Sequence, residues 1–210
     1  MAARFGTFRR LMRRLHAPIY ASRVRELVSL IIPHLQERDR VLDVGCGFGG
    51  LGHAILDAPG CPADVKLVGL ERHKRDGSLI HVETYDGTTM PYGDGAFDVV
   101  ILADVLHHED DPDRLMAESV RVAGRLLIIK DHKVDGWPAW LRVVVSDWAA
   151  NVPYGVSCRY RYLTLRQWRS ATSAHGLVTQ EELTSMRLYP PVVNLLFGRG
   201  LHYLAVLRKP

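Results

Sequence analysis

Cysteine is scarce in this sequence. The three residues, Cys46, Cys61 and Cys158, are an odd number without paired spacing, so no disulfide framework can be read and a reducing, cytoplasmic setting is expected. Long apolar runs are missing as well. No stretch approaches the ~18 uninterrupted apolar residues of a membrane span, and no signal peptide is recognisable. The 18 glycines and 11 prolines follow no period, which excludes collagen-like and low-complexity chains. With 47% hydrophobic and 24% charged residues over 210 positions, the chain reads as one soluble domain.

Acidic residues are sparse at one end. Residues 1–40 hold nine Arg and three acids, whereas the remaining 170 hold 18 basic and 20 acidic groups. The net charge of +4 thus belongs to an N-terminal arm, and the spread basic face of a nucleic-acid binder is lacking. Along the arm Phe5, Phe8, Met12, Leu15 and Ile19 alternate by three and four, opposite Arg9, Arg10, Arg13 and Arg14. That spacing predicts a basic amphipathic helix interrupted at Pro18. It leaves three readings: a helix docked on its own domain, a peripheral contact with anionic lipid or an acidic acceptor, and an organellar presequence.

A second helix is expected from about Ile19 to Gln36, with Tyr20, Val24, Leu27, Val28, Ile31 and Leu35 on its apolar stripe. Apolar runs at Val41–Val44, Val65–Leu70, Leu79–Val82, Phe97–Leu102 and Arg125–Ile129 read as strands, with a helix over Asp113–Val122 opened by Pro112. Strands alternating with helices imply a parallel sheet with ligand chemistry at the strand C-termini. Only seven residues separate Glu71 from Leu79, too few for a helical crossover of roughly ten to twelve. The helix there should be missing or reduced to a turn, and the third strand short. Glu181–Tyr189 and Leu201–Arg208 read as the last two strands.

The first strand runs into Gly45-Cys46-Gly47-Phe48-Gly49-Gly50. Without Cβ atoms, such a turn lets a ligand approach the backbone closely, but its G-x-G-x-x-G spacing also serves dinucleotide enzymes. Asp43 discriminates: a carboxylate before the loop repels a pyrophosphate and can accept from the ammonium of an amino-acid moiety. Glu71, ending the second strand, is placed to accept from both hydroxyls of a ribose.

In these residues the chain resembles the class I S-adenosylmethionine-dependent methyltransferases. Val41–Gly49 is similar to their first motif, Val68-Gly69-Leu70-Glu71 to the second, Asp86-Gly87 with Met90-Pro91-Tyr92 to the third, and Phe97–His108 to the fourth. The likeness covers roughly residues 40–131 and is nearest the small-molecule branch. It implies a single α/β, Rossmann-like, doubly wound domain with N-terminal helices. The sheet would be mostly parallel and seven-stranded, in the order 3-2-1-4-5-7-6 with the last strand antiparallel. One domain over 1–210 divides into an arm and cap (1–37), a cofactor core (38–132) and an acceptor side (133–210). By the same resemblance S-adenosylmethionine is the cofactor, S-adenosylhomocysteine the product, and the cofactor-binding set is Asp43, Gly45, Cys46, Gly47, Gly49, Glu71, Arg72, Asp86, Gly87, Ala103, Asp104 and His108.

Two clusters then fall at strand ends: Asp104 with His107 and His108, and Lys130-Asp131-His132. A histidine near neutral pKa is the natural base and a carboxylate can orient it, so His132, His107 and Asp131 are the catalytic candidates. The run His107-His108-Glu109-Asp110-Asp111 lacks an evident distant third ligand and reads as a solvated acidic loop, with no metal expected. Trp137, Trp140, Leu141, Val144, Val145 and Trp148 share one helical face, Tyr154, Tyr160 and Tyr162 follow, and 190–198 reads as an apolar loop. The arm, this helix and this loop are expected to converge on a hydrophobic or aromatic small-molecule acceptor or, equally, on a homodimer interface. A non-catalytic cofactor-binding partner protein and a nicotinamide-dependent oxidoreductase are the alternative functions.

Overall fold

A computed structural model describes residues 2–73, 76–151 and 158–209, the side chains of 2–15 excepted. Its centre is a seven-stranded sheet of β1 (Arg40–Val44), β2 (Lys66–Glu71), β3 (Val82–Thr84), β4 (Phe97–Ala103), β5 (Ala123–His132), β6 (Val178–Leu183) and β7 (His202–Arg208). The spatial order is β3-β2-β1-β4-β5-β7-β6, with β7 antiparallel to both neighbours and the others parallel. This is the expected architecture.

Alternation along the strands builds two cores. Leu42, Val44, Val100, Leu102, Leu127 and Ile129 face one side. There they meet Leu115, Met116 and Val122 of α3 (Pro112–Val122) and Trp168 of α5 (Leu165–Ala174). Val41, Val99, Ile101, Leu126 and Ile128 face the other. They pack on Leu27 and Ile31 of α1 (Ala2–Ile31) and Leu51 and Ile55 of α2 (Gly50–Leu56). The two remaining helices, α4 (Trp137–Asn151) and α6 (Pro191–Phe197), stand at the C-terminal ends of the parallel strands.

Several local expectations change. The helix runs through Pro18 rather than breaking there: the missing amide removes one rung of a ladder whose later turns are held by Leu27 and Ile31 packing on the sheet. It stops at Ile31, with a 3-10 turn at Ile32–His34 around Pro33, before the expected Gln36. Of the arm's two faces only Ile19 lies among the described side chains, where it is half-buried; the rest fall outside them, as does Tyr154. The third strand is indeed short, three residues, but starts at Val82 while Leu79 is exposed, and among the described residues no helix separates it from β2. β5 continues through Lys130, Asp131 and His132 because β7 pairs with it up to His132, so the second cluster lies within a strand. β6 ends at Leu183, and 190–198 carries a helix rather than a loop. Among the described residues no helix is long and apolar enough to cross a membrane.

The start of α5 is set by a capping box. Thr164 Oγ1 accepts from the Gln167 amide at 3.3 Å, and Gln167 Oε1 accepts from the Thr164 amide at 2.9 Å. Thr164→Ala is expected to lower the unfolding free energy by about 1 kcal/mol, read as a shifted denaturant midpoint at unchanged m-value.

Candidate active site

A cavity of about 770 Å³ opens at the C-terminal ends of β1 and β4, where an open α/β sheet binds ligands. Its floor is the glycine turn. Gly45 takes φ +67°, and a Cβ there would stand 2.6 Å from a methyl of Val105, so only glycine fits. Gly47, at φ +61°, would meet nothing within 4 Å, so the turn is open at this point. Beneath the turn Asp43 is 2% exposed and its Oδ2 has no partner. Burial pushes its pKa up to about 7, with Glu71 adding and Arg23 opposing.

Of the expected cofactor set, Asp43, Gly45, Cys46, Gly47, Ala103, Asp104 and His108 line this cavity. Glu71 stands behind the turn, its Oε1 accepting from the Gly47 amide at 2.6 Å. Gly49 opens α2 at φ +75°. Arg72 is held by the Glu109 carboxylate and the Gly87 carbonyl. Asp86 caps its own turn, accepting from the Thr88 and Thr89 amides at 2.7 and 3.0 Å, and the hydrogen bonds from Thr88 and Thr89 hold its pKa down at about 2. Neither Arg72, Asp86 nor Gly87 lines the cavity.

At the far wall is a charged core. Asp104, in the left-handed region at φ +59°, accepts from buried Lys130 on both oxygens at 2.6 Å and from Arg23 at 2.6 Å. Although burial opposes it, the Lys130 and Arg23 charges hold the Asp104 carboxyl well below the usual range. His107 Nδ1 meets Asp131 Oδ1 at 2.6 Å. Burial alone would weaken that imidazole's hold on a proton, but the Asp131 and Asp147 carboxylates outweigh it and raise its pKa to about 10. His132 lies beside it, ring centroids 5.1 Å apart, and burial lowers its pKa to about 4, leaving it neutral near pH 7. The three catalytic candidates are thus brought together.

The acidic run is less solvated than expected: Glu109 is buried against Arg72 and Asp111 caps α3, with Asp110 exposed beside Arg159. The tryptophan stripe also faces the other way. Val143 and Asp147 are the buried side of α4, while Trp137 is 72% exposed and Trp140, Leu141, Val145 and Trp148 are exposed with it. Across from them Val192, Leu195 and Leu196 of α6 are exposed too, and Arg142 ties the helices by donating to the Leu195 and Leu196 carbonyls. Val145, Ala149 and Ala150 of α4 with Val193 and Phe197 of α6 wall the cavity, so one residue of the stripe, Val145, does reach it, and Ala17, Ile19 and Tyr20 close it from α1.

Arg23, Asp147, Asn151 and Tyr189 also line the cavity and had no sequence assignment.

Residues 42–127 match the methyltransferase domain family. The antiparallel β7 further separates this sheet from the all-parallel 3-2-1-4-5-6 order of dinucleotide oxidoreductases. In fold and over this stretch the chain is similar to S-adenosylmethionine-dependent methyltransferases. Ajmaline N-methyltransferase of Rauvolfia serpentina is 35% identical over 44% of this chain and 35% of its own length. The chain spans about a third of the first two curated relatives it matches. The ubiquinone/menaquinone biosynthesis C-methyltransferase of Cupriavidus pinatubonensis is 26% identical over 84% of this chain and 82% of its own. Among solved structures, a complex between the Haloferax volcanii Trm112 methyltransferase activator and a methyltransferase aligns with TM-score 0.68 and 16% identity, covering 98% of this chain and 96% of that one.

Proposed function

We propose that this chain transfers a methyl group from S-adenosylmethionine to a small hydrophobic or aromatic acceptor. One observation carries the reading. A single cavity joins the open glycine turn and the unpartnered Asp43 Oδ2 to the histidine cluster, under an apolar wall from α1, α4 and α6. The turn fits the donor: Asp43 can take an ammonium, the Gly45–Gly47 backbone admits close approach, and Glu71, already fixed by the Gly47 amide, has a second oxygen for a ribose. Arg72, Asp86 and Gly87 are assigned to shaping the loops on the adenosine side.

The donor supplies an activated sulfonium, so the protein's task is alignment. The apolar wall holds the acceptor and excludes water. His132 lines the cavity and is placed to receive the proton of a hydroxyl or other acidic acceptor atom, a task for which its pKa must rise once the site is filled, while Asp131 orients His107 beside it. Residues 1–37 act as arm and cap, 38–132 as the donor core and 133–210 as the acceptor side of one unit.

Calorimetry with S-adenosylhomocysteine should show one site per chain, and labelled donor incubated with cell extract should place label in the apolar fraction. His132→Ala should lower kcat by about 10²-fold while leaving S-adenosylhomocysteine affinity unchanged. No heat with either donor or product overturns the activity, and turnover confined to small polar acceptors overturns the acceptor class.

A further inference from the structure

Two consecutive histidines and a carboxylate from α4 meet at one point of the cavity wall. His107, in the 3-10 turn Leu106–His108 after β4, is 4% exposed. Its Nδ1 is taken by Asp131. Its Nε2 has no hydrogen-bond partner and stands 3.6 Å from Asp147 Oδ1, beyond hydrogen-bond reach. Asp147 is itself 2% exposed. It is held from behind, Tyr162 donating its hydroxyl to Oδ2 at 2.5 Å and Asn151 its amide to Oδ1 at 2.6 Å. The His108 ring lies against His107, centroids 3.9 Å apart, and one donor atom from each of His107, His108 and Asp147 lies within 4.8 Å of the other two. The contact is that of a buried ion pair, and its length leaves the ring nitrogen without a hydrogen bond and room for a bridging group between the two atoms.

We propose that His107, His108 and Asp147 bind a divalent first-row transition ion. Donors 3.6 Å apart, each about 2.1 Å from an ion, subtend about 118°, near the tetrahedral angle. Two imidazoles and one carboxylate suit zinc, iron, cobalt or nickel rather than magnesium, and leave positions open. Those positions face the cavity that all three residues line. Asp131 behind His107 and Tyr162 behind Asp147 are the outer partners that fix the ring tautomer and the carboxylate orientation. Binding displaces the proton that His107 otherwise carries.

The alternative trio of Asp104, His107 and Asp131 is less suited. Asp104 is already neutralised by two cations, Lys130 on both oxygens and Arg23 on one. An oxygen or nitrogen of the acceptor binds the ion at an open position, which acts as a Lewis acid. This role rests on the methyl-transfer reading; ion binding does not.

The test is cobalt titration of chelator-treated full-length protein, followed by visible absorption and calorimetry, with S-adenosylhomocysteine binding measured on the same sample. One cobalt per chain with a d–d band is expected. His107→Asn, His108→Asn and Asp147→Asn should each weaken cobalt by more than about tenfold, and Tyr162→Phe by about tenfold. His53→Ala, which removes an exposed imidazole on α2, should leave affinity unchanged. Circular dichroism shows which variants are folded. No band and no heat with the wild-type protein, or wild-type cobalt affinity in a folded Asp147→Asn variant, overturns the site. Product binding without cobalt binding rejects the ion alone, whereas cobalt binding without product binding rejects the methyl-transfer reading and leaves the site standing.

Discussion

Replacing Asp104 with alanine is expected to lower the unfolding free energy by about 3–5 kcal/mol. The carboxylate sits between Lys130, which is almost wholly buried, and Arg23 of α1, so its removal leaves two cations facing each other with no counter-charge. Part of the loss comes from the backbone, because φ +59° is tolerated better by Asp or Asn than by Ala. Asp104→Asn separates the contributions by keeping the conformation and removing the charge. In the Asp104→Ala/Lys130→Met double variant one unpaired cation is gone, and its loss should be smaller than that of Asp104→Ala alone, the non-additivity expected of residues in one network. Denaturant unfolding of the four proteins at constant m-value measures this, and an Asp104→Ala loss below about 1 kcal/mol would show the network to be solvated.

Asp43→Asn should move stability and affinity in opposite directions. The folded pKa of Asp43 is about 7 against an ordinary 3.8, so folding favours the protonated form. Its stabilising share is complete below 3.8 and is lost as pH rises through 7. An amide carries no such penalty. The variant should therefore be more stable than the wild-type protein at pH 8, by up to about 4 kcal/mol, with the difference vanishing toward pH 4. At the same pH 8 it should bind S-adenosylhomocysteine at least about tenfold more weakly, having lost the charge proposed above to accept the ammonium. Such a trade of stability for function is common where a charge is buried for a ligand. Melting at both pH values and calorimetry at pH 8 decide it, and equal affinity in the two proteins removes Asp43 from the donor site.

What could be read from the sequence was what is local or counted. The strand–glycine turn–helix unit at 41–57 lies within a single stretch of chain. The brevity of β3 followed from seven residues being too few for a crossover. The sheet order came from resemblance, since no periodicity encodes which strands lie side by side. The far wall was only half legible. Asp104, His107, Asp131 and His132 announce themselves at strand ends, but Arg23 looks like any helix arginine and Asp147 like any helix acid until packing brings α1 and α4 to the same cavity. The tryptophan stripe misled for a related reason: a strong apolar face predicts burial only if something packs on it, and α4 stands at the rim of the sheet with Val143 and Asp147 inward.

That outward stripe has a practical side. Three of the four indoles, Trp137, Trp140 and Trp148, are exposed on one helix beside the cavity mouth, whereas Trp168 is stacked on Tyr203 in the core at 5.0 Å. The two populations differ in polarity and in access to a collisional quencher, so the chain carries an intrinsic optical reporter. Quenchable, red-shifted emission follows what covers the rim, and the shielded, blue-shifted component follows the integrity of the sheet.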